Sequence, residues 1–267
     1  MTGRAVVITG AGSGIGAALA RRLAGEGDRL VLNDLDPAAV AAVAAETGAL
    51  AVPGNAASED GVEELIERAR AELGAIDIFF ANAGIGVHGG PEAAEDGWQR
   101  SWDVNVMAHV RAARLLVPDW LAAGRGHFVA TVSAAGLLTM PGSAPYSVTK
   151  HAALAFAEWL SVTYGHRGIT VQALCPQGVR TPMLAASGAV GAMVLAPDAI
   201  DAEQLADVVI EALPGGSFLI LPHPEVAGFY AGRAADPDAW LERMRRGQDR
   251  IDAALGQPAA GPGAATG

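Results

Sequence analysis

Tyr146 and Lys150 stand four residues apart in a stretch whose apolar spacing predicts a helix over Pro145–Tyr164. That spacing puts both side chains on one face, one turn apart. A free phenol titrates near ~10 and a free amine near ~10.4. An ammonium beside a phenol favours the phenolate, so the pair predicts a tyrosine able to act as acid or base near neutral pH. Ser133 closes the apolar run His127–Val132. A parallel strand delivers such a residue to the crevice beyond its carboxyl end, where the hydroxyl can hold a substrate oxygen.

A second group of residues fits phosphate chemistry. The run Ala5–Thr9 leads directly into Gly10-Ala11-Gly12-Ser13-Gly14-Ile15-Gly16, and a helical pattern, Gly14–Gly25, follows. Strand, glycine-rich turn and helix in that order form the context of a dinucleotide site. Glycine lets the backbone approach a pyrophosphate, and the helix N-terminus offers unpaired N–H groups. An acidic residue about 20 positions on accepts ribose hydroxyls in such sites, and Asp34 fits. Asp34 would repel a 2′-phosphate, and its neighbours Asn33 and Leu35 and the turn residue Ser13 are uncharged. NAD is therefore expected over NADP. Asp36, beside Pro37, reads as the N-terminal acid of the next helix.

Together these residues give the chain its resemblance. Thr9-Gly10-x-x-x-Gly14-Ile15-Gly16, Asn82-Ala83-Gly84, Asn105, Ser133 and Tyr146-Ser147-Val148-Thr149-Lys150 resemble the short-chain dehydrogenase/reductase family, in its compact form, from about Arg4 to Leu221. The resemblance implies a seven-stranded Rossmann-type sheet and a nicotinamide cofactor. It also implies that Tyr146 is the general acid/base, that Ser133 orients the substrate oxygen, and that Lys150 holds the nicotinamide ribose and tunes Tyr146. Asn105 would help hold a water linking Lys150 to solvent, and Asn82-Ala83-Gly84 would line the adenosine side.

Two positions depart from the family pattern. Asn55, followed by Ala56, stands where an acidic residue commonly meets the adenine, and an amide can still bond that ring. In Cys175-Pro176-Gln177-Gly178-Val179-Arg180-Thr181, Gln177 takes the place of a glycine. Pro176, the Val179 backbone and Thr181 remain placed for the nicotinamide carboxamide, and the Gln177 side chain is expected toward the nicotinamide or substrate.

The segments that must hold these residues alternate. Short runs predict strands at Ala5–Thr9, Leu30–Asn33, Ala49–Val52, Ile76–Ala81, His127–Val132, Ile169–Leu174 and Phe218–Leu221. Several are apolar throughout, as in strands covered on both faces. Helical patterns fill the gaps: Gly14–Gly25, Ala38–Glu46, Glu59–Leu73 capped by Ser58, Trp98–Ala123, Pro145–Tyr164 and Glu203–Ala212. The alternation predicts an α/β fold, a Rossmann-type doubly wound parallel sheet with helices on both faces. Residues 1–255 are expected as one domain and 256–267, made of Gln, Gly, Pro, Ala and Thr, as a flexible tail. Met183–Pro197 is apolar without a clear period and reads as a lid, about 183–200, over a hydrophobic substrate. Asp238–Leu255 predicts a helix with Trp240, Met244, Ile251 and Leu255 on one face, set against either the core or a partner subunit. Leu137, Leu138, Met140, Gln177 and Met183, with Ser133, are candidates for shaping the substrate pocket. Arg180 is either a carboxylate ligand or a solvent-facing cation.

Composition narrows the partners. The net charge of −11 argues against nucleic acid and anionic membranes. With 51% hydrophobic residues the body of the chain can bury a core. Cys175 is the one cysteine and reads as a buried filler, so no intrachain disulfide forms and a cytoplasmic location is the simplest reading. The six histidines lack metal-ligand spacing, so no metal is expected. The resemblance implies a homotetramer or homodimer built on the helices Trp98–Ala123 and Pro145–Tyr164, with Phe156 and Trp159 serving either the interface or core packing. The leading reading is an NAD-dependent oxidoreductase interconverting a secondary alcohol and its ketone. Its rivals are other chemistry on the same fold (epimerisation, dehydration or enoyl reduction) and an idle NAD-binding regulator.

Overall fold

The computed structural model describes residues 3–256. The elements run β1 (Ala5–Thr9), α1 (Gly14–Gly25), β2 (Arg29–Asp34), α2 (Pro37–Thr47), β3 (Leu50–Pro53), α3 (Glu59–Leu73) and β4 (Ile78–Ala81). Then come α4 (Glu95–Trp102), α5 (Ala108–Ala123), β5 (Gly126–Thr131), α6 (Ala134–Leu137), α7 (Ala144–Tyr164) and β6 (Ile169–Leu174). The remainder is β7 (Val179–Arg180), α8 (Pro182–Ala185), α9 (Gly188–Val194), β8 (Ile200–Asp201), α10 (Ala202–Ala212), β9 (Leu219–Ile220), α11 (Glu225–Ala235) and α12 (Pro237–Ala254). Seven strands form a parallel sheet in the order β3-β2-β1-β4-β5-β6-β9. The tail at 257–267 lies outside the described residues.

Alternating side chains send each strand into two cores. Ala5 and Val7 of β1 join the layer under α3, α5 and α7, while Val6 and Ile8 join the layer under α1, α2 and α10. Both layers are aliphatic, apart from rings such as Phe79 and Phe128, stacked 5.9 Å apart. The helix starts are chemical. Asp36 accepts the N–H groups of Ala38 and Ala39 at 2.9 and 3.1 Å, and Ser58 accepts that of Gly61 at 3.1 Å.

Four features depart from the sequence reading. The helix expected over Trp98–Ala123 starts earlier, at Glu95, and is interrupted by a π turn at Asp103–Met107. The aperiodic stretch after Met183 folds into the short helices α8 and α9. A small second sheet pairs β7 with β8. Helix α11, absent from the sequence reading, packs against α12. No described helix is long and apolar enough to cross a membrane.

His109 on α5 sits in the core with neither ring nitrogen hydrogen-bonded among the described residues. Burial, aided by the charge on Lys150, holds its pKa at about 3, and burial holds that of His127 at about 4. In the unfolded chain both take a proton near pH ~6.5. Their contribution to stability is thus complete above that pH and is lost as pH falls toward the folded values. Urea midpoints should decline steadily below about pH 6.5. His109→Leu should flatten that decline and raise stability at neutral pH by roughly 1–3 kcal/mol, by removing two unpaired polar atoms. An unchanged pH slope in the variant would refute this account.

Candidate active site

Along the carboxyl ends of β1, β2, β4 and β5 runs a cleft of about 1290 Å³. Its floor is the turn between β1 and α1. Gly10 and Gly14 adopt φ of +65° and +50°, which few side chains tolerate. Ser13 precedes α1 without capping it through its side chain, so the first-turn N–H groups have no such partner. Asp34, at the end of β2, accepts the Gly12 N–H at 2.9 Å and the Asp36 N–H at 3.0 Å. Its oxygens retain lone pairs for ribose hydroxyls. An uncapped helix N-terminus and a carboxylate on one cleft suit a dinucleotide: phosphates on α1, a ribose on Asp34.

Every residue expected to touch the cofactor lines this cleft: Gly10, Ser13, Gly14, Ile15 and Gly16; Asp34, Asn55 and Ala56; Asn82, Ala83 and Gly84; Tyr146 and Lys150; Pro176, Gln177, Val179 and Thr181. Several also serve local structure. Asn55 accepts the Ala57 N–H at 3.1 Å. Thr181 caps α8, accepting the Leu184 N–H at 3.3 Å. Asn82 ties three strands: its amide donates to the carbonyls of Thr9 at 3.0 Å and Gly10 at 3.3 Å, and its carbonyl accepts the Thr131 hydroxyl at 3.0 Å.

Ser133 follows β5 and caps α6, its Oγ accepting the Ala135 N–H at 3.1 Å. Tyr146 lies in the first turn of α7 and Lys150 one turn on. Lys150 is 3% exposed, its Nζ 5.6 Å from the Tyr146 ring centre and donating to the Thr131 carbonyl at 2.9 Å. Asn105 lies in the π turn, fully buried behind the cleft wall. Its amide donates to Ile85 O, Ser101 Oγ and Thr149 Oγ1, and its Oδ1 accepts the Ile85 N–H. A Cβ at Gly84 would stand 3.3 Å from Asn105 Oδ1 and 3.4 Å from Lys150 Nζ, so glycine keeps open the space between the two.

The electrostatics correct one expectation. Burial raises the Tyr146 pKa above 10, with the Ser133 hydroxyl pulling in the opposite direction, and burial lowers Lys150 to about 8. Loss of water costs the phenolate more here than its neighbours return. Cys175 is fully buried in the core and does not line the cleft, and burial pushes its thiol up to about 12, which suits an inert filler.

The substrate side needs three corrections. Leu137 is 1% exposed in the core and does not line the cleft, because the α6 turn directs its neighbour Leu138 there instead. Gln177 lines the cleft, but its amide donates to Glu225 on α11. Arg180 is committed to Asp201 at 3.1 Å and to the Ala199 carbonyl, because β7 and β8 place these side by side. Met140 and Met183 line the cleft as expected.

Two walls come from outside the resemblance. Phe229 on α11 and Trp240, Met244 and Ile251 on α12 close the cleft. The one-face spacing of the last three is visible in the sequence, whereas α11 gives little signal. Leu255, expected on the same face, is exposed. Arg233 of α11 pins this cap. It donates to the carbonyls of Leu137 and, at 3.0 Å, Leu138, meets His151 Nε2 at 3.0 Å and lies 5.1 Å from the Trp240 ring centre.

Comparison with known proteins agrees with this geometry. The family model described as short chain dehydrogenase matches residues 4–190. The chain is 37% identical over 235 residues to a 1-deoxy-11-beta-hydroxypentalenate dehydrogenase from Streptomyces exfoliatus, covering 83% of this chain and 84% of that protein. It is 34% identical to a cyclohexanol dehydrogenase from Acinetobacter sp., over 68% and 75% of the two chains. A short-chain dehydrogenase/reductase from Burkholderia phymatum, solved with NAD, superposes with a TM-score of 0.82 at 26% identity, covering 98% of each chain. One from Sphingobium yanoikuyae, solved with NADPH, gives 0.77 at 25% identity over 99% of each. The chain belongs to the short-chain dehydrogenase family of oxidoreductases.

Proposed function

We propose that this protein is an NAD-dependent dehydrogenase of hydrophobic alicyclic secondary alcohols. The observation that carries the reading is the meeting of Ser133, Tyr146 and Lys150 at one end of a cleft whose other end holds the glycine turn and Asp34. In the oxidative direction, Ser133 Oγ holds the substrate hydroxyl and Tyr146 removes its proton as general base. A nicotinamide bound in the cleft would supply the hydride acceptor. Lys150 holds the nicotinamide ribose, and its ammonium offsets the cost of a buried phenolate. Asn105 fixes the loop at Ile85 behind Lys150. Met140, Met183, Val190, Phe229 and Met244 supply an apolar chamber for the substrate body. The names of the two relatives, each a dehydrogenase of a hydroxylated compound, support the same class.

Residues 1–255 act as one domain in this reading, with 183–200 closing over the substrate and the enzyme residing in the cytoplasm. Trp159, 54% exposed on α7, suits a homotetramer or homodimer interface.

A spectrophotometric screen of nicotinamide reduction over secondary alcohols tests the proposal. Cyclohexanol-type alcohols should be oxidised, with NAD preferred over NADP by about tenfold or more, because Asp34 would repel a 2′-phosphate and no cation lies beside it among the described residues. NADP serving as well as NAD would overturn the cofactor assignment. No turnover of any alcohol would overturn the activity.

A further inference from the structure

We infer that the substrate carries a carboxylate and that Arg243 and Arg250 of α12 bind it. The inference deepens the alcohol-dehydrogenase reading and rests on it.

Seven residues separate Arg243 from Arg250, two helical turns or about 10 Å along one face. Both line the cleft, as do Trp240, Met244, Gly247 and Ile251 of the same face. The helix is rich in charge, but of its charged groups only Arg243 and Arg250 line the cleft; Asp238, Arg245 and Asp249 do not. Arg246 pairs with Glu242 at 2.8 Å, and Gln248 donates to Asp252 at 2.7 Å. Arg243 and Arg250 form neither ion pair nor hydrogen bond among the described residues. They are thus two unpartnered guanidinium groups at an apolar chamber, in a chain of net charge −11.

The nearest alternative partners are absent or distant. Asp34 is the one carboxylate among the described residues lining the cleft. It ends β2, three strands from β5, a separation of about 14 Å. The phosphate turn opens from β1, two strands from β5. The cap formed by α11 and α12 belongs to the other end, where Arg233 fastens it to the Leu137–Leu138 segment just after Ser133. The arginines therefore serve the substrate rather than the cofactor. A guanidinium presents paired donors that match a carboxylate. The ligand that satisfies both the apolar strip and its cationic rim is a hydroxy acid with a hydrophobic body: hydroxyl at Tyr146, carboxylate at α12.

Kinetics with matched substrates test this in the intact enzyme with NAD. The probes are 4-hydroxycyclohexanecarboxylate and secondary hydroxy acids of graded length, each beside its carboxamide, with cyclohexanol as a neutral reference. The best acid should show a KM at least about tenfold below that of its amide. The effect stays near that size because both guanidinium heads reach solvent. Arg243→Gln and Arg250→Gln should each raise KM for the acid several-fold, leave kcat within about twofold, and leave the amide and cyclohexanol unchanged. Calorimetric binding of cyclohexanecarboxylate, which cannot react, should weaken in parallel, while melting curves report intact folding. Acids and amides used alike, or variants that shift both equally, would overturn the assignment. Failure to oxidise any alcohol would instead overturn the activity on which it rests.

Discussion

Tyr146→Phe should lose about 10³–10⁴-fold in kcat, at the upper end of what one acid/base group contributes, while binding NAD within about twofold of the parent protein. The substitution removes one hydroxyl and keeps the ring. The other groups proposed to hold the dinucleotide are untouched: the uncapped start of α1, Asp34, and Lys150 with its hold on Thr131. The direction of the Tyr146 pKa makes its acid/base role depend on compensating charge. Burial raises it, so the site without charge compensation favours the neutral phenol. The Cys175 thiol cannot replace Tyr146 near neutral pH, since burial holds it at about 12. Stopped-flow turnover and calorimetric NAD titration on the same preparation check both halves. Retention of more than a tenth of the parent rate would remove Tyr146 from its role.

Gly16→Ala should be the most damaging single methyl in the cofactor turn. A Cβ there would stand 2.1 Å from the Gly10 carbonyl oxygen and 2.8 Å from Asn82 Nδ2. The first neighbour is backbone and cannot rotate away. The second is the amide that joins β1, β4 and β5. The turn must deform or the helix must move from the sheet, so NAD affinity should fall by at least two orders of magnitude, with a lower melting temperature. Gly25→Ala is the control. It ends the same helix with nothing within 4 Å of the added methyl, and should be neutral or gain up to about 1 kcal/mol. If Gly16→Ala melts and binds like Gly25→Ala, the close approach at the turn has no functional weight.

The sheet was legible because its strands are covered on both faces and so read as uninterrupted apolar runs. Val6, Val7 and Ile8 need no pattern finer than that. The site was legible where backbone chemistry restricts the residue, as at Gly10, Gly14 and Asp34, and where helical spacing fixes a pair, as for Tyr146 and Lys150. Helix α11 escaped because Gly228 and Gly232 weaken its helical propensity, and both glycines line the cleft. Helix α9 carries Gly188 and Gly191 and hid for the same reason. The pairing of Arg180 with Asp201 spans 21 residues and depends on a two-residue sheet, a contact no local pattern announces. Leu137 and Leu138 are equivalent in sequence, and only the α6 turn decides which one meets the cleft. At Tyr146 the spacing shows a neighbouring charge but not the loss of water around both groups, which raises its pKa.

Lys150, Thr131, Asn82 and Gly10 form an unbroken chain of contacts: ammonium to carbonyl, hydroxyl to amide, amide to carbonyl. It crosses the sheet from the proposed catalytic pair to the phosphate turn. The spacing between the two ends of the cleft is therefore set by the protein's own rungs, as a ruler fixes the gap between its marks. Linkage makes any such coupling mutual: if seating the phosphates favours binding at Lys150 through this chain, binding at Lys150 favours the phosphates by the same free energy.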